Sequence, residues 1–270
     1  MYHKRLLAPT HNDLKSSAFR IYEKARRVAH WNPKTDIDFD KTLIVSQDRQ
    51  ELAWRIASQS VYTEEVGMMA AARLLTEVDD LPIRYCLAVA VSDEAKHSEV
   101  FARYALVRGG TIAPDGEPVN NLFGQLESIR DPFARFVTHS MLEGLASDEF
   151  ALLKIAFKGD VLEEIYRYVS TDEARHVAIG LDYMSTVLRD SAFEEHAHSL
   201  KEYGRVALEI SGLNNREAQV WLADLAGKDP DNVARWLLSR HRQRIDRLLG
   251  GLEDNEEVVP TYLETATAKQ

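Results

Sequence analysis

One cysteine, Cys86, stands among 270 residues. An intramolecular disulfide is therefore impossible, a thiolate-based metal site is not expected, and a reducing cytoplasm is the expected compartment. No apolar run approaches the ~20 residues of a membrane span. The opening Met1-Tyr2-His3-Lys4-Arg5-Leu6-Leu7 lacks the apolar stretch of a secretory signal. Positive charge is in deficit: the formal net charge is −10, which argues against nucleic acid or an anionic membrane as the main partner. Strand-like alternation is missing throughout, so the chain reads as all-α. Glycine (13) and proline (8) are few, and they cluster, leaving long uninterrupted stretches between them.

Those stretches have helical periodicity. A first helix is expected over 12–29, followed by an irregular connector around Pro33. Long helices are expected over 46–78 and 81–108. The segment Gly109-Gly110-Thr111-Ile112-Ala113-Pro114-Asp115-Gly116 is the clearest loop, long enough to carry the chain from one end of a bundle to the other. Asp131-Pro132 supplies an N-cap and an N1 proline for a helix reaching about Phe157. Gly159-Asp160 separates it from a helix over 161–189, and three more are expected near 192–211, 214–226 and 231–249. The order helix, helix, long connection, helix, helix is that of a ferritin-like four-helix bundle with one long crossover, here with an N-terminal helix and additional C-terminal helices. We expect one helical domain over 1–250, with a metal-binding core at about 46–190 and a polar tail over 251–270.

Two strings inside this pattern are nearly identical: Asp93-Glu94-Ala95-Lys96-His97 and Asp172-Glu173-Ala174-Arg175-His176. Each places a carboxylate and an imidazole three residues apart, on one face of a helix. The preceding helix of each pair carries an acid among small and apolar residues, Glu64 and Glu143. Thirty residues separate Glu64 from Glu94, and thirty separate Glu143 from Glu173. A lone Glu-x-x-His is most simply a solvated helix face. Two matched strings with two matched partner acids fit a di-metal carboxylate site, one Glu from each of two helices and Glu-x-x-His from each of the other two. Four carboxylates buried without cations would be very unfavourable. A mixed carboxylate and imidazole set suits iron, or manganese with iron, better than structural zinc. Glu65 competes with Glu64 for the first position, since adjacent side chains point about 100° apart and only one can face the site. Asp93 and Asp172 are placed to accept hydrogen bonds from His176 and His97 of the opposite helices, and Lys96 and Arg175 to pair with those aspartates. His139, one turn before Glu143, is a candidate seventh ligand or supporting donor. Tyr62, Tyr104 and Tyr166 are candidate redox relays, although a buried tyrosine is usually packing. Met68, Met69, Phe101, Phe136 and Phe150 read most simply as core, some of them able to line an apolar pocket.

At these residues the chain resembles the ferritin-like di-iron carboxylate superfamily, and within it the ribonucleotide-reductase-small-subunit-like ligand-binding oxidases. The likeness covers roughly residues 20–190. It includes Trp31-Asn32-Pro33 followed, with one extra residue between, by Asp36-Ile37-Asp38-Phe39. It continues through Glu64-Glu65, Glu94-Ala95-Lys96-His97-Ser98-Glu99-Val100-Phe101, Leu142-Glu143-Gly144 and the Asp172 string. The resemblance implies metal ligands Glu64, Glu94, His97, Glu143, Glu173 and His176. Three departures bear on activity. The radical-generating reductase subunits commonly carry a tyrosine where Phe101 stands. The ligand-binding oxidases form a valine–tyrosine ether where Gly67 and Thr138 stand. The arylamine N-oxygenases carry an extra histidine where Val169 stands.

The expectation is thus an O2-dependent non-haem di-iron oxidase or oxygenase, with two iron ions (or Mn/Fe) as cofactor and O2 as co-substrate. Its substrate would be a small organic molecule, oxidised at C–H or at nitrogen, as in N-oxygenation of an amine or hydrazine in a biosynthetic pathway. The smaller Gly67 and Thr138, with Met68 and Phe101, are expected beside the substrate. A reductase or ferredoxin is the expected electron donor and a homodimer the expected assembly. Ferritin-type iron storage and a radical subunit are the competing readings. The ~80 residues after position 190 argue against the first, and Phe101 against the second.

Overall fold

The computed structural model describes residues 7–28, 31–41, 46–114, 116–189 and 192–250, so the expected polar tail lies outside the described residues. Its helices are α1 (Ser17–Val28), α2 (Gln47–Glu77), α3 (Leu81–Gly109), α4 (Glu117–Ser128), α5 (Pro132–Ala156), α6 (Val161–Val187), α7 (Phe193–Ile210), α8 (Arg216–Ala226) and α9 (Pro230–Leu249), with no strand among the described residues. No helix among them is long and apolar enough to cross a membrane.

The boundaries follow local chemistry. Asp80 caps α3 by accepting from the Ile83 amide at 2.9 Å, Asp131 caps α5 by accepting from the Ala134 amide at 2.7 Å, and both helices carry a proline in their first turn. Asp160 caps α6 through the Leu162 amide, and its same oxygen accepts from the buried Tyr104 hydroxyl at 2.7 Å. One cap thereby ties the start of α6 to the last third of α3. Just beyond that contact, at the C-terminus of α3, Gly110 adopts φ +71°, the left-handed conformation that terminates the helix without a Cβ penalty.

Two elements depart from the sequence reading. The helix expected over 12–29 is divided: a single 3-10 turn, Asp13–Lys15, precedes α1, because Ser16 is extended and its hydroxyl accepts from the Phe19 amide at 3.1 Å as a fresh N-cap. The crossover is not bare connection but contains α4. Its asparagines and Gly124 are weak helix formers, which hid it in the sequence. It forms because Val119, Leu122 and Leu126, spaced three and four apart, pack on Val66, Ala70, Tyr62 and Leu142 of α2 and α5.

Helices α2 and α3 pack as one hairpin and α5 and α6 as another; the hairpins meet through α3 on α6 and α2 on α5. Helix α1 covers α3 and α6, while α7, α8 and α9 pack on the far side of α5. Gly144 permits the last of these contacts: a Cβ there would lie 2.6 Å from Arg244 Nε of α9. Arg244 and Arg240 both pair with the buried Asp148, at 2.8 and 2.7 Å. The principal apolar core includes Phe101, Phe136, Leu145 and Tyr166, all nearly inaccessible. Met69 does not join it, being 51% exposed.

Candidate metal centre

Between the two hairpins lies a layer of buried ionisable groups. Glu64 projects from α2, Glu94 and His97 from α3, Glu143 from α5, and Glu173 and His176 from α6; each is at most 8% exposed. They form two overlapping groups, Glu64, Glu94, His97 and Glu173, and Glu94, Glu143, Glu173 and His176. Within each group, one donor atom per residue lies within 4.8 Å of the others. Glu94 and Glu173 belong to both. Glu65 is exposed, so the competition on α2 falls to Glu64.

The imidazoles are oriented alike. His97 turns Nδ1 inward, 3.3 Å from Glu64 and 3.2 Å from Glu173, and Nε2 outward, 3.1 Å from Asp172. His176 turns Nδ1 inward, 3.1 Å from Glu94 and 3.4 Å from Glu143, and Nε2 toward Asp93 at 3.4 Å. Each aspartate thus serves the histidine of the opposite hairpin. Lys96 bridges Asp93 and Asp172 at 3.1 and 2.8 Å, and Arg175 bridges the same two at 2.8 and 2.6 Å. Sequence reasoning did not give Trp31 a role here, although the Trp31-Asn32-Pro33 string was its signal. Its indole N–H donates to Asp172 at 2.8 Å, its ring stacks on His97, and the Lys96 ammonium lies 4.6 Å from the ring centre.

The electrostatics show what this layer lacks. Burial pushes Glu64 and Glu143 well above the usual carboxylate range, reinforced by their acidic neighbours. Burial works the same way on Glu94 and Glu173, but the histidines outweigh it: Glu94 is held well below its ordinary value and Glu173 at about 2. Burial alone would lower His97 and His176, yet the surrounding carboxylates raise both well above the ordinary imidazole value. Protons are therefore drawn into the space between the hairpins to offset charge. Among the described residues, His97 Nδ1 and Glu173 Oε2 are buried without a hydrogen-bond partner, both aimed into that space. Unsatisfied donors and acceptors of this kind are costly, and cations would satisfy them. The donor set, four carboxylates and two imidazole nitrogens, fits two transition-metal ions.

A cavity of about 380 Å³ opens beside this layer, lined by Glu64, Glu94, Glu143, Glu173 and His139 and by apolar residues of α2, α4 and α5. His139 belongs to neither four-residue group. It lies 3.3 Å from Glu143, and burial pushes its imidazole down to about 4, so it stands neutral in the cavity wall. Of the four positions expected beside a substrate, only Gly67 lines this space. A Cβ at Gly67 would lie 3.1 Å from Glu94 Oε2, so its bareness leaves room at a shared carboxylate. Met68 is rotated by one helical step and does not line the cavity. Thr138 is fully buried elsewhere on α5, its hydroxyl bonded to the Ala134 carbonyl. Phe101 is sealed into the core against Tyr166 and Phe150. Tyr62 holds the crossover through the Ala113 carbonyl. The lining residues that sequence reasoning missed, Val119, Leu122 and Leu126, come from the unexpected α4.

No protein-family model and no curated protein matches the chain. Solved structures do. A variant of an R2-like ligand-binding oxidase with an anaerobically reconstituted Mn/Fe cofactor is 17% identical, with a TM-score of 0.69 over 92% of this chain and 98% of that one. A second variant, aerobically reconstituted with Mn/Fe, is 18% identical with a TM-score of 0.69 over 92% and 99%. This chain has the fold of the R2-like ligand-binding oxidases. The ferritin-like architecture of that fold brings four long helices around one central layer, which is where the six side chains converge here.

Proposed function

We propose that this protein is an O2-dependent oxidase or oxygenase in which two transition-metal ions, Fe/Fe or Mn/Fe, are held by Glu64, Glu94, His97, Glu143, Glu173 and His176. The observation that carries the reading is the pair of overlapping four-residue groups, buried and sharing Glu94 and Glu173. The Mn/Fe cofactor of the structures that share the fold supports the choice of metals. When bound, two such ions supply dioxygen reduction and the oxidation of a nearby organic molecule.

The chain's own groups do the rest. Asp172 and Asp93 accept from the outer nitrogens of His97 and His176, which leaves the inner Nδ1 of each ring free to ligate and keeps the rings from turning. Lys96 and Arg175 hold the two aspartates ionised and in place. The apolar part of the cavity wall limits water near the centre, and neutral His139 offers an imidazole nitrogen that can accept a hydrogen bond beside Glu143. The substrate is a small organic molecule oxidised at C–H or at nitrogen, N-oxygenation of an amine or hydrazine included, with electrons from a reductase or ferredoxin. Fully buried Phe101, which carries no hydroxyl, disfavours a stored tyrosyl radical at its position.

Anaerobic loading with Fe(II), followed by mixing with O2 with and without amines and hydrazines, tests the proposal. Two ions per chain and oxygen uptake that accelerates with one compound are expected. Full metal content and undiminished oxygen uptake in Glu173→Ala would overturn it.

A further inference from the structure

The cavity contains one acid that the metal centre does not use. Glu149, on α5, is half-buried and lines the space together with Glu64, Glu143 and Phe150. It belongs to neither four-residue group. Among the described residues no hydrogen bond or ion pair reaches its carboxylate, and no lysine or arginine lines the cavity. Two divalent cations would compensate Glu64, Glu94, Glu143 and Glu173, leaving Glu149 as the one acid of the cavity without a counter-charge. Burial alone pushes its carboxyl up to about 7, so it is partly protonated at neutral pH and gains from a cationic partner.

The rest of the wall is largely apolar, contributed mainly by α4 and α5 with Ile210 at the end of α7 and Leu213 in the turn beyond it; Gln59, Thr63, His139 and Ser211 add its other polar groups. A space of about 380 Å³ falls in the range of small-molecule sites, in which an apolar surround and a few polar groups fix ligand orientation. With those four glutamates compensated, a negative charge placed near Glu149 would still meet its carboxylate with no lysine or arginine beside it. A ligand with an apolar body and one basic nitrogen meets a complementary surface.

We propose that Glu149 is a specificity-determining residue: its carboxylate receives the protonated nitrogen of an amine whose carbon body lies against the apolar wall beside the metal centre. This deepens the reading above, and rests on it for the position of the ions. It makes an amine the substrate class and gives Glu149 a role distinct from that of the ligands.

The test uses the full chain, metal-free and loaded with Mn(II) in the absence of oxygen. The binding of 2-phenylethylamine and of its neutral counterpart 2-phenylethanol is compared by calorimetry, for wild type and Glu149→Gln, with metal content measured on every sample. The loaded wild type should bind the amine at least tenfold tighter than the alcohol. Glu149→Gln should lose at least tenfold in amine affinity, keep its alcohol affinity within about twofold, and retain two ions. Equal affinity of the loaded wild type for the two compounds, binding of neither, or an amine preference surviving in Glu149→Gln would overturn the proposal while leaving the metal centre standing. A chain that takes up no metal yet shows the Glu149-dependent preference would support this inference and sink the metal reading alone.

Discussion

His97 and Asp172, 75 residues apart in sequence, meet at 3.1 Å across the bundle, and that contact faces away from the carboxylate layer. The ring therefore has one nitrogen committed to the aspartate and one turned to the centre. The second hairpin repeats the arrangement with His176 and Asp93. Support for each imidazole thus comes from the other Glu-x-x-His helix, so the ligand geometry depends on how α3 and α6 are docked.

Asp172→Asn should leave the fold intact and weaken metal binding by the ~10- to 100-fold typical when a supporting partner of a ligand histidine is altered. Competition with a chelator, read by metal analysis, measures it. An unchanged affinity would show that Asp172 only packs against Trp31 and Lys96.

Removing single ligands should have unequal effects. Glu64 and Glu143 each belong to one group, whereas Glu94 and Glu173 belong to both. Glu64→Ala or Glu143→Ala should retain about one ion per chain under native mass spectrometry, and Glu173→Ala should retain almost none. Without metal, Glu94→Ala should be less stable than the parent, since its carboxylate is held ionised against His97 and His176 and its loss leaves those buried imidazoles short of a partner. Equal stoichiometry in all four variants would contradict the shared-carboxylate arrangement.

Gly67→Ala should be tolerated with a small loss of metal affinity, because Glu94 need shift by only a few tenths of an ångström. Gly67→Val should displace the Glu94 carboxylate and reduce uptake of both ions, with helix content by circular dichroism unchanged. Normal two-ion loading in the valine variant would show that the space at Gly67 is larger than the 3.1 Å approach implies.

Glu149 gives a pH signature in the protein without ligand. Its folded-state value, about 7, is above the ordinary carboxyl value of 4.5. A group raised in this way favours the folded state below pH 4.5, and that advantage is lost as pH rises through 7. Glu149→Gln has no such loss, so relative to wild type it should be more stable at pH 8 than at pH 4 by about 1–3 kcal/mol. Denaturant unfolding at both values reads the difference; a pH-independent effect would mean that the carboxyl is well solvated.

Much of this molecule is written in local patterns. The capping aspartates before α3, α5 and α6 and the glycine after α3 locate the ends of the bundle helices within one or two residues, because caps act within a single turn. The two Glu-x-x-His strings and their partner acids could be read as one set because i, i+3 spacing and equal hairpin lengths place donors at a common height whenever two hairpins face each other. Other features depended on contacts between segments far apart in the chain. Helix α4 has a weak sequence signature and exists by burying one stripe on α2 and α5. Trp31 reaches Asp172 only because the connector folds over the α3–α6 seam. The cavity wall draws on α2, α4, α5 and the turn after α7, so adjacency on one helix could not tell that Gly67 lines it while Met68, Thr138 and Phe101 do not. Side-chain periodicity is a property of a single helix, whereas an enclosed space is a property of several helices at once, and only their docking decides which faces remain unfilled.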